Sequence, residues 1–245
     1  MKKPIIVKNL TKCYGKLKAV DKVNFDVKPK EIFALIGPNG AGKSTILKIL
    51  ATVLSPTIGK VSIYGYNVKK DADKIRNIIT YLPEEAGAYK NMTGIRYLKF
   101  MAALFSDNKK DQRNYIKFAT QITGLGTRLK EKINTYSKGM TRKLLLARAV
   151  MTKPKLAILD EPTSGLDVTN ALFIRKTIIN LSKGGMAVLL SSHNMLEIEF
   201  LSDRVGIIDK GKIIEIGTAG KLKRKYKAKN LEEVFAKITK LNFIK

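Results

Sequence analysis

The chain is poor in residues that build metal or redox centres: 245 residues include one cysteine, Cys13, and one histidine, His193. A lone cysteine cannot close an internal disulfide, and one Cys with one His cannot form a zinc cluster. That usage suits a reducing compartment. Long apolar runs are missing as well. None approaches the ~18 residues that a membrane-crossing helix needs, and no signal-type apolar core follows Met1-Lys2-Lys3-Pro4. Any work at a membrane is therefore expected to pass through a partner. Acidic residues are scarce: 20 Asp and Glu stand against 47 Lys and Arg, a formal charge of +27. Such an excess suits a nearby polyanion, either anionic lipid or nucleic acid, and suits a coat of solvated lysines equally well.

What remains is globular. With 44% apolar and 27% charged residues the chain can bury a sizeable core, as one large domain or two small ones. Short apolar runs predict strands at Ile5 to Val7, Val23 to Val27, Ile32 to Ile36, Val61 to Tyr64, Ile78 to Leu82, Leu156 to Leu159, Ala187 to Leu190, Val205 to Ile208 and Ile213 to Ile216. Helical spacing runs through Ile46 to Leu54, Thr93 to Phe105, Asp111 to Thr123, Lys138 to Met151, Thr169 to Leu181 and Leu231 to Lys240. Alternating strands and helices predict an α/β fold with a largely parallel sheet. From Glu85 to Lys153 that rhythm stops and consecutive helices follow, which predicts a helical insertion at about 85–153. The lysine-rich stretch Lys221 to Lys229 could touch phosphates, but reads better as a solvated helix surface or linker.

Gly37-Pro38-Asn39-Gly40-Ala41-Gly42-Lys43-Ser44-Thr45 fits G-x-x-x-x-G-K-[ST] between a predicted strand and a predicted helix. Chance produces that pattern in roughly 2 of 100 chains of this composition, before the flanking elements are required. Its glycines let backbone N–H groups converge on phosphates, and the helix N-terminus adds positive charge. Lys43 would reach the β and γ phosphates and the Ser44 hydroxyl would ligate Mg²⁺. The run Leu156 to Leu159 ends in Asp160-Glu161. There Asp160 would hold Mg²⁺ beside the loop, and Glu161 would act as general base toward an attacking water. Asn108-Lys109-Lys110-Asp111 spells a guanine-reading motif, but it lies inside the helical insertion with no matching Asp-x-x-Gly before it, and is a coincidence of a lysine-rich chain.

With these motifs in order the sequence resembles the ATP-binding subunits of ABC transporters from about Ile5 to Thr218. Tyr14 matches the aromatic that stacks on adenine. Gly37 to Thr45 and Leu156 to Glu161 match the two Walker motifs. Tyr136-Ser137-Lys138-Gly139-Met140 matches the signature, Ser164-Gly165-Leu166-Asp167 the D-loop and His193 the switch histidine.

The resemblance implies a P-loop NTPase (RecA-like) core with an N-terminal antiparallel β part, an ATPase domain over 1–218 and a basic helical tail over 219–245. It implies ATP and Mg²⁺ as cofactors, with catalysis carried by Lys43, Glu161 and His193 and metal held by Ser44, Asp160 and Glu84. It also implies a working site shared between two copies, or between this chain and a homologous ATPase subunit, because Ser137 and Gly139 face the γ-phosphate of the ATP that the other subunit holds. Its partners would be transmembrane permease subunits at the inner face of the cell membrane, with no specific nucleic acid. Two departures stand out. The signature keeps only Ser137 and Gly139 of Leu-Ser-Gly-Gly-Gln, and Glu84 replaces the usual glutamine after Tyr81-Leu82-Pro83. These variants look most like the exporter branch called ABC-2. By that likeness the region Ala86 to Arg96 would receive a coupling helix; Tyr89, Met92, Tyr97, Leu98 and Met101 could line its groove, although a Met or aromatic stripe is more often core. A soluble ABC ATPase of the iron–sulfur assembly type is the competing reading.

Overall fold

The computed structural model describes residues 2–239. In chain order its elements are β1 (Ile5–Tyr14), β2 (Leu17–Val27), β3 (Ile32–Ile36), α1 (Lys43–Leu50), β4 (Ile58–Ile63), β5 (Tyr66–Asn67), α2 (Ala72–Arg76), β6 (Ile79–Leu82), α3 (Gly94–Phe105), α4 (Lys109–Thr123), α5 (Lys138–Val150), β7 (Leu156–Leu159), α6 (Val168–Lys183), β8 (Ala187–Ser192), α7 (Met195–Leu201), β9 (Arg204–Asp209), β10 (Lys212–Gly217), α8 (Ala219–Tyr226) and α9 (Leu231–Thr239). Two short 3₁₀ helices, Gly126–Lys130 and Ile133–Thr135, bridge α4 and α5.

The strands form two sheets, ordered β2-β1-β4-β5 and β10-β9-β3-β8-β7-β6. The first is antiparallel. In the second, β9, β3, β8, β7 and β6 run parallel, and β10 joins antiparallel at the edge. Every residue of β3, β7 and β8 is buried, as expected of parallel strands covered on both faces.

Alternation along β3 divides the core in two. Ile32, Ala34 and Ile36 join a cluster with the helices from α3 onward. Phe33 and Leu35 join a second cluster with α1 and the antiparallel sheet. Within that second cluster Ile46, Leu47, Ile49 and Leu50 bury one face of α1, each contributing about 1.5–3 kcal/mol against exposure. This anchors the loop that precedes α1.

No strand interrupts the chain between β6 and β7; only an isolated bridge joins Thr93 and Lys132. The predicted helices all form, with the last described through Thr239, so that Lys240 lies outside the described residues. Two helices escaped the sequence reading: α2 is only five residues long, and α7 follows His193 directly. α8 falls within the helical tail expected over 219–245, with one buried residue, Leu222. The guanine-motif look-alike has a structural explanation, since Asn108 caps α4 and its side chain accepts from the Lys110 and Asp111 N–H groups.

The structure divides the residues left open between coupling groove and core. Tyr97 and Leu98 are 3% and 0% exposed and belong to the core, because they lie on the face of α3 turned inward. Met92 and Met101 are partly buried against that core. Tyr89 is open to solvent, with Phe100, Leu104 and Phe105 exposed nearby in sequence. The tail elements α8 and α9 are also integral to the fold, since Leu222, Leu231 and Val234 are buried in the same cluster as Ile198 and Leu201 of α7.

Candidate nucleotide site

Parallel strands bring their C-terminal ends to one edge of the sheet, and their register decides which residues meet there. Leu82 pairs with Leu159 and Leu159 with Leu190, so Pro83, Asp160 and Ser191 follow side by side. Ile36 pairs with Ser192, which sets Gly37 beside His193.

The loop Gly37–Gly42 curls back over this edge. Gly40 and Gly42 have φ of 78° and 102°, and a Cβ on Gly42 would come within 2.6 Å of the Ala19 carbonyl oxygen. Only glycine fits that approach. Gly42 is also the N-cap of α1; it offers no side-chain cap, and no acidic residue occupies the first turn. The leading N–H groups of α1 thus remain available to an anion.

Lys43 is buried, and its Nζ donates to the carbonyls of Gly37 at 2.8 Å and Pro38 at 3.1 Å. It also lies 3.6 Å from Oε1 of Glu161. Ser44 Oγ donates to Oδ1 of Asp160 at 3.1 Å, and Ser191 Oγ donates to the same oxygen at 2.5 Å. The Ser191 hydroxyl in turn accepts the Glu161 backbone N–H at 3.0 Å. One short chain of bonds therefore ties Ser44, Asp160, Ser191 and Glu161 together.

Glu161 is 5% exposed and its φ is 46°, a left-handed conformation uncommon for a residue with a side chain. Its Oε2 lies 3.0 Å from Nδ1 of His193. A carboxylate only accepts, so that contact assigns the imidazole proton to Nδ1. The Tyr81 hydroxyl is buried close by, and burial together with the Asp160 carboxylate pushes its pKa well above the usual range. It stays a neutral phenol.

The cleft over the loop is lined by Ala19, Asn39–Thr45, Glu84 and Glu161, which brings Glu84 into the same space as Lys43 and Ser44. Tyr14 is outside that lining. It ends β1 with an exposed ring, Lys12 Nζ 5.1 Å from its centroid, on the hairpin whose second strand supplies Ala19. Ser137 and Gly139 also lie apart from the cleft. Ser137 caps α5, accepting from the Met140 N–H at 3.2 Å, and Gly139 packs on the Asn170 side chain with no room for a Cβ. Within one chain the tertiary structure thus assembles Lys43, Ser44, Glu84, Asp160, Glu161 and His193, and leaves the signature elsewhere.

Among the described residues no cluster of three or more His, Cys, Asp or Glu side chains forms a metal cage. Mg²⁺ commonly takes one or two protein oxygens and completes its shell with phosphate and water. The neighbouring Ser44 hydroxyl and Asp160 carboxylate are such a pair, with the Glu84 carboxylate in the same cleft.

Two participants were missed by sequence reasoning. Ser191 follows the predicted strand Ala187 to Leu190, but only the β7–β8 register puts it against Asp160. Arg142, a buried cation on an otherwise apolar helix face, donates to main-chain carbonyls after β6 and β7. Its helical spacing, three and four positions before the buried Leu145 and Leu146, was the available signal.

The family profile described as ABC transporter matches residues 20–164. The linearmycin resistance ATP-binding protein LnrL of Bacillus subtilis (strain 168) is 38% identical over 210 residues, covering 86% of this chain and 68% of that protein. The lantibiotic transport ATP-binding protein SrtF of Streptococcus pyogenes is 36% identical over 231 residues, covering 94% of each. A solved structure described as the ATP binding subunit of an ABC transporter superposes with a TM-score of 0.84 at 28% identity, over 96% of this chain and 99% of that one.

Proposed function

Because the chain belongs to the ABC transporter family, among its ATP-binding subunits, we propose that it hydrolyses ATP at the Gly37–Thr45 loop and thereby powers export through transmembrane permease subunits. The observation that carries the chemistry is the placement of Glu161. Its carboxylate is buried at the sheet edge, beside Lys43 on one side and His193 on the other.

The triphosphate lies along the loop, where backbone N–H groups of the loop and of α1 bind its oxygens. Lys43 exchanges the Gly37 and Pro38 carbonyls for phosphate oxygens, so its charge is delivered without a change of position along the chain. Ser44 and Asp160, with Glu84 in the same cleft, would hold Mg²⁺, which when bound would offset negative charge on the phosphates. Glu161 orients a water and takes its proton as the water oxygen attacks the γ-phosphorus, and the bond to the β–γ bridging oxygen breaks. His193, held through Nδ1, is oriented by Glu161 at the same end of the cleft. Tyr14 stacks on the adenine.

Ser137 and Gly139 lie outside the cleft of their own chain, which supports a site completed by another subunit. Two copies, or this chain and a homologous ATPase subunit, bind head to tail around two ATP molecules. Ser137 of the partner subunit and the N-terminus of its helix then face the γ-phosphate, and hydrolysis releases the pair.

Among the described residues no helix is long and apolar enough to cross a membrane, so docking on permease subunits at the inner face of the cell membrane is the proposed location. The exposed Tyr89, Phe100, Leu104 and Phe105 offer the apolar surface for such docking. Both relatives reported above are named for resistance or transport, which favours an exporter over an iron–sulfur assembly ATPase.

The test is Glu161→Gln. It should bind ATP as the parent does, hydrolyse it far more slowly and accumulate as an ATP-bound dimer in size-exclusion chromatography. Parent-like turnover would overturn the assignment.

A further inference from the structure

Arg142 lies in the second turn of α5 and is 8% exposed. A guanidinium carries five N–H donors, and here five main-chain carbonyls receive them. Nη1 donates to Pro83 at 3.1 Å and Glu84 at 3.0 Å. Nη2 donates to Asp160 and Glu161, both at 2.9 Å, and Nε to Pro162 at 2.9 Å. Burial lowers the Arg142 pKa, while the nearby charges of Glu84, Asp160 and Glu161 act in the opposite direction.

The pattern of acceptors is more specific than a buried cation requires. The Pro83 and Glu84 carbonyls belong to the two peptide planes that flank the Cα of Glu84. The Asp160 and Glu161 carbonyls belong to the two planes that flank the Cα of Glu161. Fixing both flanking planes fixes φ and ψ, and with them the direction of the Cα–Cβ bond. Nη1 therefore sets the projection of one carboxylate and Nη2 that of the other. Glu161 has particular need of this support, because its φ of 46° is sparsely populated and the following proline narrows its choices further.

We propose that Arg142 is a positioning residue that aims Glu84 and Glu161 into the cleft together and ties both to α5, the helix capped by Ser137. A shift of α5 when its N-terminus meets the other subunit's nucleotide is thereby passed to the carboxylates of its own cleft. This inference rests on Glu161 being the general base.

Lysine keeps the charge but has one nitrogen with three N–H groups and cannot span five carbonyls. Arg142→Lys should therefore lower kcat about 100-fold, as expected when a reacting group is misplaced by about 1 Å. Affinity for a fluorescent ATP analogue should stay within about threefold, since the loop and α1 are untouched. The acid limb of the kcat–pH profile should move, and a purely structural role would leave it in place. In a Glu161→Gln background the same change should add far less than its about 100-fold effect in the parent, because one of the two groups being aimed is already lost.

A fully active Glu161→Gln would refute the general-base reading itself. A dead Glu161→Gln alongside an Arg142→Lys with parent kcat and pH profile, whatever its melting temperature, would overturn this inference alone, as would full multiplication of the two losses. If Arg142→Lys does not fold, Arg142→Gln is measured with the same expected and overturning results. Failure of both to fold assigns Arg142 to folding and overturns the proposal.

Discussion

Nδ1 of His193 lies 3.0 Å from Oε2 of Glu161, although 32 positions separate them in sequence. The contact exists because β7 and β8 are parallel neighbours and both chains leave the sheet at the same edge. It orients an exposed imidazole by a buried carboxylate, so the histidine depends on Glu161 for its direction. His193→Ala should reduce turnover about 10- to 100-fold with ATP affinity preserved, read from steady-state phosphate release. A fully active variant would demote His193 to a surface residue.

Lys43 is held by two loop carbonyls rather than by solvent, so its ammonium is already desolvated where phosphate binds. Losing a charge-assisted bond of about 1.5–3 kcal/mol should weaken ATP binding by Lys43→Ala about 10- to 100-fold in equilibrium titration. Unchanged affinity would count against the cradle.

Gly139 has no space for a side chain because Asn170 sits against it, and Asn170 is itself fixed by Asp167, whose carboxylate accepts from the Asn170 backbone N–H at 2.9 Å and side-chain amide at 2.6 Å. Gly139→Ala must push Asn170 aside and disturb the start of α6 together with that of α5. Dimer-dependent ATPase should fall about tenfold or more, with monomer nucleotide binding near parent. Retained activity would show that the contact has slack.

Glu215 joins β10 to α8: it pairs with Lys225 and accepts the Tyr226 hydroxyl at 2.6 Å. The Lys225 partner, then the Tyr226 hydroxyl, hold its pKa below the usual glutamate value of 4.5. A depressed folded pKa means stability that is present above 4.5 and lost as pH falls through the folded value. Glu215→Gln should therefore be slightly less stable than the parent at pH 7, with the gap closing below 4.5, as measured by urea unfolding across that range. A gap independent of pH would refute the pairing as its source.

Leu231 is fully buried at the start of α9, and its N–H donates to Glu199 of α7 at 3.2 Å. Glu199 also pairs with Lys223 of α8. Leu231→Ala should cost about 2–5 kcal/mol in denaturant unfolding, the range for a buried leucine. An unaffected midpoint would mean that the tail is a detachable appendage.

Much of this was legible in the chain itself. The phosphate loop could be read because glycines, lysine and serine stand at fixed offsets between an apolar strand and a helix, all within one local segment. Asp160 and Glu161 were legible as the polar end of a wholly apolar run. Tyr97 and Leu98 stayed open between a surface groove and the core, since their spacing on α3 shows a stripe but not which way it faces. The tail was undervalued for a related reason: its lysines dominate its composition, while scattered apolar residues dock it, Leu222, Leu231 and Val234 being those buried in the core cluster.

Local sequence determined the elements, the curled loop and the chemistry of each candidate group, because capping, glycine conformations and apolar periodicity act over a few residues. Only the tertiary structure decided that Ser191 bridges Asp160 and Glu161, that Arg142 grips both carboxylate loops, and that Ser137 and Gly139 stand away from their own cleft. Those contacts come from strand order and parallel register, which bring together residues 18 to 59 positions apart. A parallel sheet brings distant strand ends to one edge, and no spacing along the chain encodes which ends will meet.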